Sequence, residues 1–117
     1  PLPFKSEAEC AYVAGLFEGE GTFHVARFYY IHGEKRPRRT PQFHLRIAMS
    51  DKEPLERVAA YLKGGYINGP YRYGKAHFKQ YWTLSIDSPP LVRAVIHAMW
   101  SYLSPRRQKQ LEVGYSI

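Results

Sequence analysis

Val13-Ala14-Gly15-Leu16-Phe17-Glu18-Gly19-Glu20-Gly21 interrupts a helical neighbourhood with three glycines and two carboxylates. A glycine inside a helix costs about 1 kcal/mol relative to alanine. Acidic side chains at a helix C-terminus face the negative end of the macrodipole, at about 0.3–1 kcal/mol each. The stretch is a poor way to stabilise an isolated helix, so something else must compensate. At helical spacing, residues 11, 15 and 19 lie one above another. They are Ala11, Gly15 and Gly19, with Ala8 and Ala14 nearby. Such a stripe of small side chains lets a second backbone approach closely. That backbone belongs either to the protein's own sheet or to a second copy of the chain, because the sequence holds no other such run.

The two acids differ in what they can reach. Glu18 and Glu20 are two residues apart, so on a helix they point in directions roughly 200° apart. Taken alone, Gly19-Glu20-Gly21 reads as a tight turn with solvated acids. A carboxylate beside its symmetry mate at a negative helix end is doubly repelled, and a divalent cation relieves that repulsion. Mg²⁺ held by one or two carboxylates, water and phosphate oxygens suits phosphodiester hydrolysis.

Composition narrows the partner. The 117 residues are expected to form one domain (1–117) with a real core. Seventeen Lys and Arg against ten Asp and Glu leave +7, which points to an anionic partner, nucleic acid before a membrane surface. Ten tyrosines and two tryptophans supply aromatic faces that can stack on bases. Cys10 is the single cysteine, which excludes a disulfide framework, and the histidines at 24, 32, 44, 77 and 97 lack zinc-site spacing. No run has the apolar length of a membrane span and no signal peptide is visible, so an intracellular protein is expected. The chain opens on Pro1 instead of Met, as expected of a trimmed chain.

Working outward, Ser6-Glu7-Ala8-Glu9 is a capping box that starts a helix running from about Glu7 to Gly19 or Glu20. Thr22 to Ile31 is β-branched and aromatic, the composition of a strand. His32 to Pro41, with Gly33, Pro37 and a cluster of cations, is expected to be a loop or flexible hairpin tip. Gln42 to Met49 alternates, with Phe43, Leu45, Ile47 and Met49 on one face and Gln42, His44, Arg46 and Ala48 on the other. A helix capped by Ser50 or Asp51 follows, from about Glu53 to Lys63, with Leu55, Val58, Ala59 and Leu62 as its stripe. Tyr66 to Tyr73 and Phe78 to Ile86 read as strands around a Gly74-Lys75 turn. A helix begins at Ser88-Pro89-Pro90, with Leu91, Val92, Val95, Ile96, Met99 and Leu103 as its stripe, and a last one begins at Ser104-Pro105.

This order predicts an α+β fold in which four strands bury one face against helices and leave the other free. The free face is expected to carry His24, Gln42, His44, Arg46, Lys79 and Tyr81. A sheet face with basic and aromatic residues at alternate positions can lie in a major groove. Arg27 is the awkward position: alternation from Phe23 and Val25 turns it toward the core face, so a bulge or an early end to that face is expected there.

Position for position, VAGLFEGEG resembles the motif of the LAGLIDADG homing endonucleases: hydrophobic, Ala, Gly, Leu, hydrophobic, acid, small, acid, Gly. The resemblance extends over nearly the whole chain, and the single motif copy matches the members that act as homodimers. It implies an αββαββα fold with a four-stranded antiparallel saddle-shaped sheet. It also implies site-specific, Mg²⁺-dependent cleavage of double-stranded DNA at a long pseudo-palindromic site, in the service of intron or intein mobility. Mn²⁺ is expected to substitute for Mg²⁺, and Ca²⁺ to bind without supporting cleavage. Ala11, Gly15, Leu16 and Gly19 would pack against the second copy. Glu20, the Gly19 backbone carbonyl and Asp51 would hold the metal, with Ser50 as the alternative to Asp51, while Glu18 would be structural. Glu20 stands where the more frequent residue is Asp, which keeps the ligand and lengthens its reach.

Arg107, with Arg106 as a near competitor, would stabilise charge as cleavage proceeds or hold the active-site water network, since a guanidinium cannot act as a base. The DNA contacts would fall on His24, Phe28, Tyr30, Arg36, Arg38, Arg39, Gln42, His44, Arg46, Asn68, Arg72, Lys79, Tyr81 and Arg106. The reading from a different class is a noncatalytic nucleic-acid binder on the same scaffold, an RNA maturase or a transcriptional regulator. Both acids are retained, which favours the enzyme, because carboxylates facing phosphate gain a pure binder nothing.

Overall fold

Ser6 starts the first helix, α1 (Glu7–Glu20), by accepting the Glu9 N–H at 3.2 Å through its hydroxyl. The return arm of the capping box closes one residue further out, with the Lys5 N–H donating to Glu9 Oε1 at 3.0 Å. The structure is a computed structural model that describes residues 3–72 and 80–115. The expected Gly74-Lys75 turn, the strand ends at Tyr73 and Phe78, and Lys79 lie outside the described residues.

Two long strands follow α1: β1 (Gly21–Ile31) and β2 (Glu34–Met49). They are joined by His32 and Gly33 alone, both at positive φ (51° and 81°), as a two-residue primed hairpin turn requires. The loop expected over residues 32–41 is therefore a correction: all but the first two residues belong to β2. Its prolines are tolerated because only Leu45 to Met49 pair with a strand on the far side, so the earlier part of β2 is an edge. The β1–β2 register shifts between Ala26 and Phe28, where Ala26 faces Gln42 and Phe28 faces Pro37. The irregularity expected at Arg27 is present, and its extra residues lie on β2.

The chain continues through α2 (Glu53–Leu62), β3 (Tyr66–Arg72), β4 (Gln80–Ile86), α3 (Pro89–Met99), a 3-10 turn (Trp100–Tyr102) and α4 (Pro105–Tyr115). The strands form an antiparallel sheet ordered β1-β2-β4-β3. Phe43, Leu45, Ile47, Leu84 and Ile86 supply its buried face. Helical residues Val13, Phe17, Leu55, Val58, Val92, Val95, Met99 and Leu111 pack on that face. The helices thus lie on one side of the sheet, the α+β arrangement expected. Leu103, expected on the α3 stripe, instead follows the 3-10 turn and is still buried.

Candidate functional site

Among the described residues, nothing covers the outward side of α1. Cys10, Val13, Ala14 and Phe17 face the core, while Ala8, Ala11, Gly15 and Gly19 are exposed and Leu16 is half-buried. A β-carbon added at Gly15 or Gly19 would meet nothing within 4 Å. Packing of the stripe against the protein's own sheet is therefore excluded. Glu20, also exposed, ends the same helix. The next residue is held tightly: a β-carbon at Gly21 would sit 2.6 Å from both the ring and the carbonyl of Phe17.

The two acids separate as their spacing dictates. Glu18 turns toward α4, where Oε1 accepts the Ser104 N–H and Oε2 accepts the Ser104 hydroxyl, both at 2.8 Å. These bonds, the backbone one foremost, hold its carboxyl below the usual range. Arg107 reaches back, donating from Nε and Nη2 to the Glu18 carbonyl at 3.3 and 3.1 Å, and from Nη1 to Gln110. Buried and packed over the Phe23 ring, Arg107 clamps the end of α1 and lines a groove of about 690 Å³ beneath β1 and α4. Arg106 keeps 63 % of its side chain exposed, 3.9 Å from Glu18 Oε2.

Glu20 lies in a different groove, about 470 Å³, lined with Ala48, Met49, Ser50 and Tyr81. Ser50 shares that groove with it. Asp51 is occupied next door, where Oδ1 accepts the Glu53 N–H at 3.1 Å at the start of α2. Among the described residues, no three His, Cys, Asp or Glu side chains gather as a metal cluster.

Cross-strand register places the remaining candidates. His24 faces His44, with rings stacked at 5.8 Å, and Arg46 faces Thr22 on one side and Ser85 on the other. Asn68 faces Thr83, Arg72 faces Gln80, and the Tyr81 ring lies 5.4 Å from Tyr71. Gln42 is half-buried opposite Ala26. Toward the hairpin tip the expected group divides. Phe28 and Tyr30 pair with Pro37 and Lys35, and the Lys35 ammonium sits 4.1 Å over the Phe28 ring. Arg36 pairs with Tyr29 and is bound to Glu34 at 2.8 Å, while the Arg38 guanidinium lies 5.9 Å from the Tyr29 ring. Adjacent residues of a strand face opposite ways, so Arg36 does not share a face with Phe28 and Tyr30. Arg39 is exposed within the irregular stretch. The cation that does accompany Phe28 and Tyr30, Lys35, was missed for want of the His32-Gly33 turn that sets the register. Tyr66 and Asp87, joined to His44 on this face, were missed because nothing local signals a contact 43 residues apart.

Glu18 links α1 to α4 in a pH-dependent way. Its folded pKa lies below the ordinary 4.5, so its stabilisation is present above that value and is lost as pH falls through the folded one. Glu18→Gln is expected to lower stability at neutral pH and to flatten the acid limb of a thermal-melt profile. Ser104→Ala, which also removes the Ser104 Oγ bond to the Arg107 N–H, is expected to cost about 1 kcal/mol or more. An acid limb unchanged by Glu18→Gln would contradict the assignment.

No protein-family model and no curated protein matches the sequence. Solved structures do match. The group I intron-encoded homing endonuclease I-CeuI, in complex with DNA, superimposes on 95% of this chain at TM-score 0.65 and 16% identity. The LAGLIDADG meganuclease I-CpaMI, bound to uncleaved DNA, superimposes on 92% at TM-score 0.64 and 22% identity. The homing endonuclease I-CvuI, with its target and Ca, superimposes on 94% at TM-score 0.67 and 11% identity. The chain spans 54%, 36% and 65% of those proteins' own lengths, less than two thirds in each case. The fold of this chain, with its helix-terminal motif at Val13–Gly21, is the LAGLIDADG fold.

Proposed function

We propose that two copies of this chain pair through α1 and act together as a site-specific endonuclease on double-stranded DNA. The observation that carries this reading is the exposed Ala11-Gly15-Gly19 ridge, which ends in an exposed Glu20 at the edge of the free sheet face. A helix face of small apolar residues gains nothing from water, and it fits closely against its own symmetry mate. Pairing brings one Glu20 from each copy to the dyad.

The donor set suits a hard divalent cation. Glu20 offers a carboxylate at the negative end of a helix, and the Gly19 carbonyl lies beside it along the chain. We assign both as ligands of Mg²⁺, with Mn²⁺ as a substitute and Ca²⁺ as a binding-only ion. Once bound, the ion supplies Lewis-acid stabilisation of phosphate charge and a more acidic water. Ser50, sharing the groove with Glu20, is the polar group at that position, while Asp51 is engaged by the Glu53 N–H beside the start of α2. Arg107 acts by fixing the end of α1, and the exposed Arg106 is the cation able to meet phosphate. The free face, with His24, His44, Arg46, Asn68 and Tyr81, lies along the major groove, whereas Arg72, paired with Gln80, turns to the opposite side of the sheet. Phe28, Tyr30 and Lys35 extend it at the hairpin tip.

Two substitutions test this reading. Glu20→Gln is expected to reduce Mg²⁺-dependent cleavage to background while Ca²⁺-supported DNA binding persists. Retained cleavage would remove Glu20 as a ligand. Gly19→Leu, which places a large side chain on the ridge without touching the protein's own core, is expected to sediment as a folded monomer. A stable dimer would overturn the pairing.

A further inference from the structure

Three residues on the free sheet face form a hydrogen-bonded trio. His44 Nδ1 on β2 lies 2.5 Å from Asp87 Oδ1, and the Tyr66 hydroxyl on β3 donates to Asp87 Oδ2. Asp87 itself follows the last residue of β4. Burial opposes its charge, but the bonds from Tyr66 and His44, with Arg46 nearby, outweigh that opposition and hold its carboxyl below the usual range. An ionised carboxylate accepts hydrogen bonds and donates none. The proton of a neutral His44 must therefore sit on Nδ1, which leaves Nε2 as a bare acceptor.

That acceptor is available. Among the described residues His44 Nε2 has no partner, and no described side-chain nitrogen or oxygen is both buried and unpartnered, so Nε2 reaches solvent. The ring has little freedom to turn, since 14% of the side chain is exposed and the His24 ring stacks on it at 5.8 Å and 29°. The result is one lone pair, held in a defined direction, on a face otherwise rich in donors.

Resting on the reading of this face as DNA-binding, we propose that Asp87 is a positioning residue that fixes His44 as a hydrogen-bond acceptor. His44 thereby selects a base carrying an exocyclic amino group, adenine or cytosine, on the strand it meets. In the major groove adenine N6 and cytosine N4 are donors, whereas guanine N7 and O6 and thymine O4 are acceptors. A bare Nε2 set against guanine or thymine opposes acceptor to acceptor, and a buried unpaired polar atom is costly.

The test is selection of a randomised duplex library with Ca²⁺ by the wild-type protein and by Asp87→Asn, with the His44 ring nitrogens read by NMR. An amide at 87 can donate to Nδ1 as well as accept from it, so it no longer fixes the tautomer. The wild type is expected to show a proton on Nδ1 and none on Nε2, and to enrich adenine or cytosine at one position of each half-site. Asp87→Asn is expected to relax the preference at that position alone by about fivefold, the size of one hydrogen bond. Tyr66→Phe, which keeps the Asp87–His44 bond, is expected to leave that preference unchanged. Unchanged preference in Asp87→Asn, or a wild-type Nε2 that carries a proton, would overturn the proposal. So would a uniform loss of affinity at every position, which is what a merely structural Asp87 would give. If the wild type enriched no sequence at all, the DNA reading itself would fall and take the base preference with it, even with the Nδ1 proton in place.

Discussion

Two helix ends meet at Glu18, and each supplies what the other lacks. The last turn of α1 carries no basic residue of its own, and its carbonyls point toward a negative pole. Arg107 of α4 donates to the Glu18 carbonyl from two nitrogens, so the missing cation comes from tertiary structure. In return the Glu18 carboxylate occupies the positive N-terminal end of α4, bonded to the backbone and hydroxyl of Ser104. Burying Arg107 carries a desolvation penalty, which bonds from all three of its guanidinium nitrogens offset. Because the clasp consumes Glu18 and Arg107, the end of α1 is fixed and Glu20 is left at the mouth of its own groove.

That fixed end gives α1 two unlike faces. One buries Val13, Ala14 and Phe17 in the core, and the other presents small residues to solvent. Glycine there weakens the helix in isolation, and the tertiary clasp together with burial of the inner face compensates. Gly21 has a separate reason, since the Phe17 ring and carbonyl fill the space a side chain would need. The sheet shows the same division, with an apolar side under the helices and a polar side left open.

Elements governed by short-range pattern were legible in the sequence. Alternation from Phe43 to Met49, the stripe of Leu55, Val58 and Leu62, and the Ser6 cap all describe local periodicity, and each appears as read. The hairpin tip was misread because Pro37 and Pro41 suggest a loop, whereas an edge strand accepts them. At the site, the spacing of Glu18 and Glu20 was enough to separate their directions. Where each acid goes depends on Ser104, 86 residues away from Glu18, and no local pattern carries that. From the sequence alone, Arg107 would stabilise developing charge or hold a water network. Its burial and three bonds reflect the demand of a bare helix end, which becomes visible only once α4 is placed.

If one chain carries half of a catalytic site, protomers should be interchangeable across the dyad and each should govern one strand. Wild-type and Glu20→Gln chains, unfolded together and refolded as a mixture, test this directly on a supercoiled plasmid bearing the selected site with Mg²⁺. Mixed pairs are expected to nick one strand, so open-circular DNA should accumulate in a share set by the mixing ratio. A mixture that yields linear DNA alone, in proportion to its wild-type content, would mean that a single chain cuts both strands, and would contradict the shared site.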